Sequence, residues 1–130
     1  MIKAYTDINQ SKMLAEILPL DSADMWWLYT PGQGKYIAVM HDEPDPHYLA
    51  RMASYGIKDA AIPCWSLAAL LNVLPKPTKR MYELNIYGDE KPFFGFNDCD
   101  LNIHKGFEGD NYIDACVNMI VYMHEKLDDF

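Results

Sequence analysis

Apolar positions along the chain recur first at a helical period, then at a period of two, then at a helical period again, and each change of period marks a change of element. From Thr6 to Leu18, Gln10, Leu14, Ile17 and Leu18 share one helical face, Thr6 or Asp7 is placed to cap it, and Pro19 stops it. Met25 to Thr30 and Tyr36 to Met40 are dense in β-prone residues on either side of the turn cluster Pro31-Gly32-Gln33-Gly34, which predicts a hairpin. His41 to His47 carries two prolines and three acids and is expected as a surface loop, with a short helix from Tyr48 to Tyr55 ended by Gly56. Ser66 then caps a helix whose Leu67, Leu70, Leu71 and Leu74 keep helical spacing until Pro75.

After the polar connector from Pro75 to Arg80 the period becomes two. Tyr82, Leu84 and Ile86 alternate with polar neighbours, Phe94 and Phe96 follow the turn Gly88 to Lys91, and Cys99, Leu101 and Ile103 alternate with Asp98, Asp100, Asn102 and His104. These predict a three-stranded antiparallel meander with one wet face. Asp110 or Asn111 then caps a last helix with the stripe Ile113, Cys116, Val117, Ile120, Met123 and Leu127, and Asp114 suits its positive start. The expected fold class is α+β: an antiparallel sheet, hairpin plus three-stranded meander, with helices packed on one face and a C-terminal helix, residues 1–130 forming a single domain.

Composition narrows the chemistry. Half of the 130 residues are apolar and 23% are charged, a globular balance, and the net charge of −8 disfavours a nucleic-acid partner, which rewards clustered Lys and Arg. Residues 91–130 hold three bases against eight acids, so the acidity is concentrated there as a solubility surface or a docking face for something basic. No apolar run approaches the roughly 20 residues of a membrane span, and Met1 to Gln10 lacks an apolar core followed by small residues, so a soluble cytoplasmic protein is expected, with no membrane partner.

Several site chemistries fail on spacing. Asp98, Asp100 and Asn102 match the first ligands of a calcium loop, but Ile103 stands where the turn glycine belongs and Gly109 where a bidentate Glu belongs. His41 and His47 share a loop with Asp42, Glu43 and Asp45, while His104 and His124 are isolated, and no spacing gathers three or four metal ligands. No phosphate-cradling glycine loop and no serine nucleophile elbow is present, so no cofactor is expected. Cys64, Cys99 and Cys116 form no Cys-x-x-Cys pair and are expected as buried thiols. Cys64 precedes a helix start, where a thiol can gain thiolate character, which makes it the nucleophile of an alternative reading as a small cysteine-dependent hydrolase or transferase.

Trp26, Trp27, Tyr29 and Tyr36 concentrate aromatic surface on the hairpin. Adjacent Trp26 and Trp27 must face opposite ways in a strand, and an outward-facing Trp beside Tyr is a favoured contact at interfaces. The function expected is therefore a binding or adaptor domain acting through protein contacts, pointing away from an enzyme. A protein partner is expected, homo-oligomerisation stays open, and an acidic mimic of nucleic acid is a second alternative.

Three stretches, Ser11 to Trp27, Ile62 to Pro75 and Asn111 to Ile120, resemble a group of small bacterial proteins of unknown function often encoded with prophage or other mobile elements, from intestinal bacteria in particular. The segments are helices and their caps. The resemblance implies kinship and a mobile-element setting, and carries no activity or site residues.

Overall fold

Capping chemistry sets the helix starts. In the computed structural model, which describes residues 3–40, 44–74, 82–87, 92–98 and 103–126, helix α1 spans Ile8–Ile17. Asp7 accepts the Gln10 amide at 2.8 Å while the Gln10 side chain accepts the Asp7 amide at 3.1 Å, a reciprocal cap that satisfies two donors at once. Helix α2, Pro46–Ser54, begins two residues before the expected Tyr48, because Pro46 stands at a helix start. A proline there forfeits only an amide that no helical carbonyl would meet, and Asp45 takes the His47 amide at 2.9 Å. Ser66 caps α3, Leu67–Asn72, as expected, accepting the Ala69 amide at 3.2 Å. Asn111 does the same for α4, Tyr112–Lys126, with the Asp114 amide at 2.8 Å.

The class is α+β, with antiparallel strands in two three-stranded sheets and a C-terminal helix. Residues Tyr5–Ala69 form one compact unit, and Leu70–Phe130 with Met1–Ala4 form a second.

In the first unit, β1 (Met25–Thr30) and β2 (Lys35–Val39) make the expected hairpin, with Leu28 opposite Ile37 and Tyr29 opposite Tyr36. Thr30 receives the amides of Gln33 and Gly34 at 3.0 and 2.8 Å, and Gly34 closes the turn at a φ of 66°, where a side chain would strain the backbone. Sequence alternation misses β3, Ala61–Cys64, which pairs antiparallel with the other side of β1 and gives the order β2-β1-β3. Helix α1 packs against β3. Leu14, Leu18, Met25, Met52, Ile62, Cys64 and Trp65 are buried.

In the second unit, β4 (Tyr82–Tyr87), β5 (Phe93–Asp98) and β6 (Ile103–Glu108) form the expected meander. The third strand lies further along than the alternation of Cys99 to His104 predicts, and residues 99–102 fall outside the described ones, as do the connector 75–80 and Leu127. Phe94 pairs with Phe107, and both lie buried on the face that α4 covers with Ile113, Cys116, Val117, Ile120 and Met123. Gly106 leaves room for the ring of Phe93, since a Cβ there would come within 2.2 Å of it. Lys3 reaches the Asp114 carboxylate at 2.8 Å, placing an ion pair at the first turn of α4.

Candidate functional site

Backbone polarity along sheet β2-β1-β3 decides which main-chain groups point out of the sheet. The Tyr29 amide donates to the Ala60 carbonyl at 2.8 Å, so the main-chain groups of Tyr29 face β3. Successive residues of a strand point their amides and carbonyls to alternate sides. Trp27 and Met25 therefore also face β3, and Trp26, Leu28 and Thr30 face β2. Across the hairpin, Val39, Ile37 and Lys35 turn their groups toward β1, which leaves those of Tyr36 and Ala38 directed outward from the sheet.

The two edges differ in chemistry. On β3 the outward positions are Ala61 and Pro63, opposite Leu28 and Trp26, and at Pro63 there is no N–H to offer. Just beyond Pro63, Thr6 donates its amide to the Trp65 carbonyl at 3.0 Å and Tyr5 bridges to Ser66, so the chain itself covers this end. On β2 no strand pairs with the outer side among the described residues. Ile37 is 40% exposed and Met40, directly after the strand, 72%.

Thr6 is also the centre of a buried polar group. Its hydroxyl accepts the Trp65 amide at 3.1 Å and lies 2.7 Å from the Ser11 hydroxyl and 3.6 Å from the Cys64 sulfur, while its carbonyl receives the Cys64 thiol at 3.5 Å and the Trp27 indole at 3.0 Å. Thr6 has one hydroxyl proton, so when it donates to the Cys64 sulfur the Thr6–Ser11 contact needs the Ser11 proton. Asp24 adds a second tie by accepting both the amide and the hydroxyl of Ser66, at 2.9 and 2.5 Å.

Cys64 is 0% exposed, and burial pushes its thiol up, with hydrogen bonds from Thr6 and Ser11 offsetting only part of the shift and the Asp24 charge adding to it. This environment keeps the proton on sulfur, the opposite of what a nucleophile needs. Its hydrogen-bond partners are hydroxyls and a carbonyl, with no imidazole among the described residues. His47 and His124 are exposed, and His41 and Cys99 lie outside the described residues. Cys116, fully buried in α4, is pushed up to about 12 by burial. Among the described residues no group of three or more His, Cys, Asp or Glu side chains could hold a metal ion, and no helix is long and apolar enough to cross a membrane.

The four aromatic residues singled out by sequence are drawn into contacts within the chain. Trp26 is buried. Trp27 is half-buried, edge-on to Tyr5 with ring centres 5.5 Å apart. Tyr29 and Tyr36 meet edge-on at 5.3 Å, the Tyr36 hydroxyl donates to the Asp59 carbonyl at 2.6 Å, and Tyr48 of α2 donates to the Tyr29 carbonyl. On the same hairpin Ile37 and Met40 are exposed apolar side chains, as Met13, Leu20, Leu49 and Tyr55 are elsewhere in the unit, and sequence reading passed over them. No local signal marks the β2 edge, because the strand order that leaves β2 outermost depends on β3, which alternation does not reveal.

No protein-family model matches the chain, and neither does any curated protein or solved structure.

Proposed function

We propose that this chain is a protein-binding domain that takes up an extended segment along the outer edge of β2, adding a strand to sheet β2-β1-β3. The observation that carries this reading is the inequality of the two edges: Pro63 and the Tyr5–Thr6 segment close one end of β3, while Tyr36 and Ala38 point amides and carbonyls outward with no strand paired to them among the described residues, beside exposed Ile37 and Met40. Strand addition draws affinity from main-chain hydrogen bonds and selectivity from alternate side chains, and it needs no catalytic group. Trp26, Trp27, Tyr29 and Tyr36 back the strand and hold its register.

The acids favour this reading over nucleic-acid mimicry where their bonds are defined. Asp7, Asp24, Asp45 and Asp114 are committed to helix caps and to Lys3 or Ser66, not arrayed as a free acidic track.

The test is a displayed library of ten-residue peptides panned against the full chain. Enriched peptides are expected to alternate apolar residues and to lose binding to Ala38→Pro, which removes an outward amide while leaving the ladder to β1 intact. Ligands that bind Ala38→Pro unchanged, or the absence of any ligand, overturn the proposal.

A further inference from the structure

We infer that the strand received along β2 is the β2 of a second copy of this chain, joined antiparallel about a two-fold axis at Ala38 to give a six-stranded sheet. This rests on the strand-addition reading above, and it names the occupant. Two-fold pairing of identical strands is isologous, so every group one copy offers is met by the same edge of the other.

Main-chain direction limits the axis to few positions, because residues that exchange hydrogen bonds must both face outward. An axis at Ala38 sets Ala38 against its own equivalent and Tyr36 against Met40 of the second copy, with Ile37 opposite Val39. Both exposed apolar side chains thereby gain apolar partners, and the Met40 thioether meets an aromatic ring, a favourable pairing. An axis at Ile37 sets Met40 against Gly34 in the turn and leaves it bare, so Ala38 is the better centre.

Charge permits a second copy at this edge. Each chain carries −8, and two such chains repel wherever their acids meet. From Met25 to Met40 there is no carboxylate at all, and the single charge is Lys35. Antiparallel pairing about Ala38 sends the two lysines to opposite ends, six residue steps or about 20 Å apart. That is roughly twice the screening length at physiological salt, so neither resists the approach. The hairpin is thus a stretch, as residues 60–82 also are, that contributes no carboxylate of its own to such a contact, although the Asp59 charge lies near Tyr36.

One added strand per copy covers less than the roughly 1,200 Å² of a standard stable interface, so association is expected to be weak and concentration-dependent. Sedimentation velocity on the full chain, from low-micromolar to near-millimolar concentration, is expected to show a reversible shift from monomer to dimer. Ala38→Pro and, separately, Ile37→Lys should each hold the protein at the monomer mass, with circular dichroism verifying the fold. Ile37→Lys alters an exposed side chain and keeps the test alive should the proline variant misfold. At high concentration the Tyr36 and Ala38 amides should exchange with deuterium more slowly. A dimer that survives both substitutions overturns the inference. A monomer at every concentration also overturns it; β2-dependent peptide ligands would then leave strand addition standing, and their absence would remove both.

Discussion

Strands β3 and β2 flank the same central strand, yet they end the sheet in different ways. At β3 a proline occupies one of the two outward positions, Ala61 the other, and the Tyr5–Thr6 segment lies across the end, held by the Thr6 hydroxyl and carbonyl. At β2 the outward positions are Tyr36 and Ala38, and the one protective charge is Lys35 at the strand's start. An exposed edge is a hazard that proteins commonly blunt with proline, charge or a covering segment. Among the described residues, proline and a covering segment blunt one side and neither is found on the other, and it is on this asymmetry that the proposal of a receptive edge rests.

Substitutions on the two edges should therefore differ in cost, and the comparison can be broken in order of effect. Trp65, 0% exposed and bonded through its indole to Ser22 at 3.0 Å, anchors the closed side; Trp65→Ala is expected to cost about 3–5 kcal/mol in urea denaturation. Thr6→Val keeps the shape but strips the acceptor from the buried Trp65 amide and the partner from Ser11, for a loss of about 1–3 kcal/mol.

Alkaline pH probes the same side. The folded Cys64 thiol holds its proton above the ordinary value of 9.0, so its contribution is intact below that pH and declines as pH rises past it. Stability curves at pH 8 and 10 should show a steeper fall for the wild type than for Cys64→Ala; equal slopes would place the thiol in water.

The smallest effect belongs to the open side. Ala38→Pro forfeits an amide with no strand to bond, and its cost to stability should stay within about 1 kcal/mol. Should Ala38→Pro cost as much as Thr6→Val, the edges are energetically alike and the comparison fails.

Much of this architecture was legible residue by residue. Asp7, Ser66 and Asn111 announce helix starts because capping depends on a few neighbouring atoms, and the buried stripe of α4 follows from period alone. Pro46 misleads because the residue that breaks a helix interior also suits its first turn. Strand β3 escaped because four residues containing a proline carry no alternation, and only an edge tolerates that proline. Gly106 interrupts the pattern of β6 in a similar way. The aromatic hairpin was visible as composition, but its accessibility depends on what the fold lays against it. An open edge is harder still, since it is a property of what fails to pair, and no local pattern encodes that.

The space above Gly106 has a consequence for how this chain can vary. The Phe93 ring fills the volume where a side chain at 106 would begin, so the two positions form one steric unit. In a library randomised at both, glycine at 106 should persist wherever 93 keeps an aromatic ring, and alanine at 106 should return only with a smaller partner at 93. Natural drift at either site is then a joint event, a two-letter word spelled across two strands.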